Sequence, residues 1–550
     1  MFFNGNGAAP ERNSRIAPGN FVIGFSLACW TQWTFFGVGA NEALELHDAG
    51  NWLAAVENTV VLFLIGIWLL HAGWWKWTGG ILAASLAVLT PMRLMTSEAL
   101  LTVQNVDTLF GSNAAEVAGF LSTLLPTDFL IPGVAAVGII FAIGRCAKPI
   151  PVQFKSKFRK AGWALPVLLP LVFITSPVGY ILYGIDHRSD AATWHVTGTL
   201  PDRKPLQNYV LILGESLRSD ALAIYGNPYP TTPFLSSKPL KIVDEMVAPS
   251  YATMSAVPRL LALSEGEEVQ PQNNVVALAR EAGLKTYWVS AQGRTRSKDL
   301  PISHIAKSAD ERIFVKRGDD FGMVGELEAL LDRAPDQCRF IVLHAYGSHE
   351  NVCDRLDGVG RPFETHWGEQ LDCYLASALK ADQLIERVSG LFKARGETYS
   401  ILFVSDHAVD FQHELGLVGA STAAKASDAG SAGHRVRSSR NPFSKQQFVV
   451  PFLELGDSVS EAQAIKTHGP CSAMELPTYV PTWLSLSTNL TPVGKDIFRC
   501  GEAGRSITVL NPKGKLTSYG DLNAGLQLPE ILRSSTEHNR EREVDQHGVF

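Results

Sequence analysis

Two hydrophobic regimes divide this chain near residue 186. Before that point, apolar residues form long runs at residues 21–40, 52–75, 78–95, 129–144 and 163–183. A bilayer core requires roughly 20 residues of helix, and all five runs approach that length, the fourth being the shortest. Trp52, Trp74, Trp75, Trp77, Trp163, Tyr180 and Tyr183 gather at their ends, as interfacial belts do. After residue 186 the apolar runs shorten and alternate with amphipathic stretches. Residues 209–213, 286–289, 340–343, 401–404 and 448–453 read as buried strands, and residues 274–282 and 376–392 as helices between them. Strands alternating with helices predict a mainly parallel sheet covered on both faces. The expected architecture is a multi-pass α-helical membrane domain followed by an α/β domain.

Charge orients the first regime. Arg12 and Arg15 precede run one, Lys76 lies between runs two and three, and Arg145, Lys148, Lys155, Lys157, Arg159 and Lys160 separate runs four and five. Residues 41–51 and 96–128 hold no Lys or Arg. By the positive-inside rule the N-terminus is cytoplasmic, and five crossings place everything after Tyr183 outside. The polar N-terminus does not have the pattern of a cleaved signal peptide. The net charge of −6 gives no sign of nucleic acid as a partner. The expected organisation is a five-helix membrane domain over 1–185, a linker over 186–207, a catalytic domain over 208–529 and a disordered tail over 530–550.

The chemistry gathers at strand ends. Run 209–213 breaks at Gly214 and presents Glu215 and Ser216 ahead of a helix-compatible stretch. Ligands of open α/β sheets bind at the carboxyl ends of such strands, although Glu215 and Ser216 equally suit a helix cap. Pro258 marks a helix start close to Thr253, where backbone N–H groups favour an anion; a plain N-cap role for Thr253 or Ser255 fits the same segment. Strand 340–343 ends in His344, with His349 five residues on, and strand 401–404 ends in Ser405, Asp406 and His407. Carboxylates, imidazoles and a hydroxyl together suit Zn²⁺ or a similar divalent ion, which would activate a hydroxyl and neutralise phosphoryl charge.

These motifs resemble those of the bacterial phosphoethanolamine transferases of the alkaline phosphatase superfamily. The matching segments are VLILGESLRSDALAIYGNPYPTTPFL, TMSAVP, LHAYGSH, SDH and, in the first regime, QNVDTLFGSNAAEV. The style is that of members acting on lipopolysaccharide core or periplasmic glucans. The resemblance implies a sulfatase-like periplasmic domain on a multi-pass inner-membrane anchor. It implies that Glu215, Thr253, Asp406 and His407 bind zinc, with room for a second metal. Thr253 would attack phosphatidylethanolamine, release diacylglycerol and carry phosphoethanolamine to a lipopolysaccharide or periplasmic glucan acceptor. His349 would contact the phosphoryl group or a second metal, and Asn105 and Glu116 would lie at the donor-lipid site. His434 best matches the family's late histidine, with His413 as its competitor.

Three departures qualify the match. Ala408 and Val409 follow His407 where the family reads Gly-Glu, leaving Asp410 as the nearby carboxylate. Residues 419–433 resemble an insertion ahead of His434. Ser250 and Arg259 flank Thr253 where the lipid A subgroup has cysteines. Seven cysteines stand at 29, 146, 338, 353, 373, 471 and 500. The last five would face an oxidising compartment, where Cys353–Cys373 and Cys471–Cys500 are the suggested pairs. A phosphoglycerol transferase of the same superfamily is the rival reading, and a non-catalytic envelope protein with this fold is another. A sulfatase activity is disfavoured, since no Cys or Ser has Pro two residues on and Arg four on.

Overall fold

A computed structural model describes residues 18–35, 59–60, 62–63, 76–96, 126–146, 191–200, 205–292, 301–316, 318–333, 337–349, 352–365, 367–410, 444–490, 496–502, 506–511, 515–525 and 527–533. Asn105, Glu116, His413, His434, nearly all of run two, all of run five, residues 186–190 and 201–204 of the expected linker and residues 534–550 lie outside them. The described residues fall into two compact units.

The first unit contains helices α1 (Pro18–Phe35), α2 (Lys76–Thr96) and α3 (Leu130–Cys146). They correspond to runs one, three and four. Ile23, Leu27, Ala83, Leu86, Ala136 and Ile143 form their shared core. Trp30 Nε1 donates to Thr90 Oγ1 across α1 and α2 at 2.8 Å. Phe21, Val22, Ile131, Val134 and Phe141 point outward and are exposed. Among the described residues no helix is long and apolar enough to cross a membrane.

The second unit is α/β. Its strands, in chain order, are β1 (Val196–Thr199), β2 (Asn208–Gly214), β3 (Lys241–Val247), β4 (Ala262–Glu265), β5 (Glu268–Asn274), β6 (Lys285–Ser290), β7 (Glu311–Phe314), β8 (Arg339–His344), β9 (Tyr399–Ser405), β10 (Val449–Val450), β11 (Phe452–Gly456), β12 (Ile465–Ser472), β13 (Leu486–Thr488), β14 (Thr508–Leu510) and β15 (Leu516–Ser518). Its helices are α4 (Thr253–Leu261), α5 (Val275–Glu281), α6 (Pro301–Lys307), α7 (Gly322–Arg333), α8 (Glu369–Arg395) and α9 (Leu476–Trp483). The main sheet runs β10-β3-β11-β9-β2-β8-β6-β7, with β12 beside β3. β9, β2, β8, β6 and β7 are parallel neighbours. β11 pairs antiparallel with β9 and β3, which makes the sheet mixed beyond β9.

β2 lies between β8 and β9, and every one of its residues is buried. That is why residues 209–213 read as an uninterrupted apolar run rather than an alternating one. Tyr209, Leu211 and Leu213 enter one core with Val257, Trp288 and Trp483. Val210 and Ile212 enter the opposite core with Leu327, Leu375 and Phe392. Helices therefore cover both faces, as the alternating pattern predicts.

Two local expectations change, and one strand carries no pattern that announces it. Strand 448–453 is two strands, because Pro451 has no N–H to continue a ladder; β10 pairs with β3, and β11 crosses to β9. β3 was hidden by its polar positions Lys241, Asp244 and Glu245 on a half-buried face. The expected helix directly after Gly214 is replaced by single turns at Ser219–Ala221 and Ala223–Tyr225. Here backbone N–H groups find side-chain acceptors elsewhere. Leu217 N donates to Ser405 Oγ at 3.0 Å, Arg218 N to Tyr374 Oη at 2.8 Å and Ala223 N to Thr231 Oγ1 at 2.9 Å. Such bonds compete with a helical ladder. Disulfides join Cys353 to Cys373 and Cys471 to Cys500, and Cys338 is an exposed free thiol.

Candidate metal and nucleophile centre

The centre forms where β2 and β9 end side by side, with Gly214 paired to Ser405. Gly214 is required there. A Cβ on it would meet the Phe403 ring at 2.9 Å. The chain then turns sharply, and Ser216 adopts φ 57°, a left-handed conformation uncommon for a side-chain-bearing residue. This turn directs Ser216 N to Asp406 Oδ1 at 3.1 Å, while Ser216 Oγ donates to Glu215 Oε1 at 2.8 Å. Asp406 Oδ1 also accepts from His407 N at 2.7 Å.

Glu215, Asp406 and His407 are all buried, and their ligand atoms lie within 4.8 Å of one another. Thr253 joins them as the first residue of α4. Its Oγ1 is 3.1 and 3.0 Å from the two carboxylate oxygens of Glu215 and 3.3 Å from His407 Nε2. His407 Nε2 is 3.4 Å from Glu215 Oε1 and 3.7 Å from Asp406 Oδ2. A tetrahedral ion with bonds of about 2.0–2.1 Å has ligand–ligand edges of about 3.3 Å. These spacings, from 3.0 to 3.7 Å, fall around that edge length.

Two further observations fit a cation. Asp406 Oδ2 is buried and has no hydrogen-bond partner within the protein, which is costly for a carboxylate oxygen unless something positive occupies its lone pairs. His407 Nδ1 lies 3.1 Å from the Ala408 carbonyl. Donation there places the ring proton on Nδ1 and turns the Nε2 lone pair toward Glu215, Thr253 and Asp406. Electrostatics agree. Burial, then the Glu215 charge, pushes the Asp406 carboxyl up to about 7. Burial opposes charge on His407, but Asp406 and then Glu215 outweigh it and raise the imidazole to about 9. Burial likewise opposes ionised Glu215, yet the His407 hydrogen bond and the His349 and His407 charges hold its carboxyl below the usual range. Two buried carboxylates therefore recruit an imidazolium when no other cation neutralises them.

His344 is near enough to feel Glu215 but does not join the ligand group. It packs edge-on against Trp288 at 5.6 Å, and burial lowers its imidazole to about 4. His349 stacks on Tyr346 with centroids 4.8 Å apart and contributes charge stabilisation to Glu215. Asp410 accepts from Ser444 Oγ at 2.6 Å and lies near Arg218, outside the ligand group. Gln292 is a member of the site that sequence reading missed. Its Nε2 donates to Glu215 Oε2 at 2.8 Å and to the Ala345 carbonyl at 2.7 Å. It follows the end of β6, so the rule that flagged the other strand ends points to it too; its amide is simply not a metal-ligand type. A second convergence of ligand-type residues, Cys353, Glu369 and Cys373, is not a metal site, because its sulfurs are bonded to each other.

A family model described as Sulfatase matches residues 207–488. The chain belongs to the sulfatase family. The match includes Glu215, Thr253, Asp406 and His407. Among curated relatives of this sulfatase-family chain, a putative phosphoethanolamine transferase of Haemophilus influenzae is 32% identical over 226 residues, covering 38% of this chain and 46% of the relative. Phosphoethanolamine transferase OpgE of Escherichia coli K12 is 33% identical over 228 residues, covering 40% and 42%. The chain thus spans less than half the length of either relative. Among solved structures, the integral membrane lipooligosaccharide phosphoethanolamine transferase A of Neisseria meningitidis aligns with 84% of this chain and 95% of its own, at 15% identity and a TM-score of 0.47.

Proposed function

We propose that this sulfatase-family protein transfers phosphoethanolamine from phosphatidylethanolamine to a lipopolysaccharide or periplasmic glucan acceptor. The observation that carries the reading is the hydroxyl of Thr253 held 3.0 and 3.1 Å from Glu215 and 3.3 Å from His407, at the positive end of α4. The names of the two curated relatives supply the transferred group. One zinc ion would be held by Glu215, Thr253, Asp406 and His407. When bound, it lowers the pKa of the threonine hydroxyl and neutralises phosphoryl charge.

The chain's own residues do the rest. Glu215 and His407 fix the Thr253 oxygen, and the first turn of α4 presents N–H groups toward an incoming phosphoryl oxygen. The Thr253 hydroxyl gives up its proton as its oxygen forms a bond to phosphorus, the bond from phosphorus to the diacylglycerol oxygen breaks, and that oxygen takes up a proton, so no net proton is gained or lost. An acceptor hydroxyl reverses the sequence, releasing Thr253. His349, whose charge stabilises Glu215, would meet the phosphoryl group, and His434, or His413 in its place, would complete the set.

Membrane attachment through five helices, with the catalytic unit in the periplasm, belongs to this reading. It is supported by the distribution of Lys and Arg and by the outward apolar side chains of α1 and α3. Asn105 and Glu116 would then contact the donor lipid. The test is peptide mass spectrometry after incubation with phosphatidylethanolamine in detergent micelles. A phosphoethanolamine increment on the Thr253 peptide, absent from Thr253→Ala, is expected. An increment only with phosphatidylglycerol would replace the reading by phosphoglycerol transfer, and no adduct in zinc-loaded protein would leave a non-catalytic fold.

A further inference from the structure

A second charged cluster is buried behind the centre, and the transfer chemistry does not use it directly. Lys380, on α8, is 1% exposed. Its ammonium contacts Asp320 Oδ2 at 2.7 Å, Asp357 Oδ2 at 2.8 Å and the Arg355 carbonyl at 2.7 Å. A buried lysine is costly unless paired, and each of its partners leads to the turn Ala345–His349. Asp320 Oδ1 accepts from Tyr346 N at 2.6 Å, and Oδ2 accepts from Gly347 N at 3.1 Å. Arg355 lays its guanidinium on the Tyr346 ring at 4.5 Å and donates Nη1 to the His349 carbonyl at 3.2 Å. Asp357 is itself held in a left-handed conformation, φ 48°, and accepts from Asp320 N at 3.1 Å. Ser377, one turn before Lys380, bonds Ser348 Oγ at 2.7 Å.

The turn so gripped touches the centre without slack. Gly347 has φ 42°, and a Cβ on it would lie 3.1 Å from both the N and O of Glu215. Ser348 N donates to the Glu215 carbonyl at 3.0 Å. Tyr346, clamped by Arg355, stacks on His349.

We infer that Lys380, Asp320 and Asp357 form a positioning unit that sets the place of His349 against the Thr253 centre. The inference rests on the reading of that centre given above. Lys380 touches no reacting atom; it acts by neutralising Asp320 and holding the backbone of Arg355, so that Tyr346 and His349 keep one arrangement. Misplacement of a reacting group by about 1 Å costs on the order of 100-fold in rate.

The test uses the full chain in detergent micelles with Lys380→Met, His349→Ala and the double variant. Lys380→Met is expected to lower kcat of transfer by about 10- to 100-fold, with KM and zinc content nearly unchanged. In the His349→Ala background the same change is expected to cost less than about threefold, because contacting residues are not additive. Lys380→Arg should restore part of the rate. Carbethoxylation of His349 by diethylpyrocarbonate, followed by peptide mass spectrometry, should change several-fold in Lys380→Met. Equal losses in both backgrounds, or an unaltered His349 modification rate, would overturn the inference. If Lys380→Met does not accumulate, Asp357→Asn carries the same expectations. If the native protein forms no Thr253 adduct, the transferase reading fails, while the carbethoxylation arm still decides whether the unit positions His349.

Discussion

Gln292→Ala separates orientation of the centre from its ligands. The amide holds Glu215 Oε2 at 2.8 Å and the Ala345 carbonyl at 2.7 Å, and it ligates nothing. A hydrogen bond to a charged group contributes about 1.5–3 kcal/mol. Gln292 is half-buried, which places this bond at the lower end, because water takes over part of its function in the variant. At about 1.4 kcal/mol per tenfold, the zinc Kd should rise about tenfold. That agrees with the 10- to 100-fold typical of removing a group that orients a ligating side chain. Competition with a chromophoric chelator measures the Kd directly, and the melting temperature of the metal-free protein controls for folding. A Kd within twofold of the native value, in a folded variant, would refute the idea that Glu215 is held in place by Gln292. A loss of all binding would instead make Gln292 part of the ligand set.

Protons and metal compete for the same atoms. With His407 raised to about 9 and Asp406 to about 7, the metal-free centre at pH 7 carries protons that the metal displaces, so affinity should rise with pH from 6 to 9. Calorimetry in buffers of different ionisation enthalpy should show release of at least about one proton per zinc at pH 7, and no buffer dependence would contradict the assigned ligands. Arg339→Leu should destabilise the α/β unit by about 1.5–3 kcal/mol in denaturant titrations, because it removes the buried 2.8 Å pair to Glu397, which then keeps only Arg395 and Asn208 as partners. Burial raises the Glu397 carboxyl, but hydrogen bonds from Asn208 and Arg395 outweigh it and the net shift is downward. Its stabilisation is therefore complete above the unfolded carboxyl pKa and is lost as pH falls through the folded one; the native-minus-variant difference should shrink on acidification. Replacing Cys353 and Cys373 by Ser should cost about 3 kcal/mol, the loop-closure value for their separation of 20, read as a fall in melting temperature.

Much of the centre was legible one segment at a time. Strand β2 and the Gly-Glu-Ser that follows it, the helix start at Thr253 and the Asp-His at the end of β9 each carry a local signature. Gln292 was not legible as a site member, and Ser216 was legible only as a strand-end residue equally suited to a helix cap. Gln292 is not a ligand type, and the role of Ser216 depends on a positive φ imposed by the turn. The turns after β2 defeated the helix expectation because Ser405, Tyr374 and Thr231, distant in sequence, take the N–H groups a helix would have used.

The sequence by itself determined the α/β layering, the order of the central strands' chemistry and which strand ends carry side chains of metal-ligand type. Those depend on hydrophobic period and on which residue ends each strand, and both are properties of contiguous segments. Only the tertiary structure decided that Glu215, Thr253, Asp406 and His407 converge to spacings near a tetrahedron's edge, that His344 remains outside their group, and that Asp320 and Arg355, both bound to Lys380, hold the turn bearing His349. Such distances arise from pairings across 38 to 192 residues of chain, from Glu215–Thr253 to Glu215–His407. No local pattern encodes them; they follow from the register of β2 against β9 and from where α8 packs.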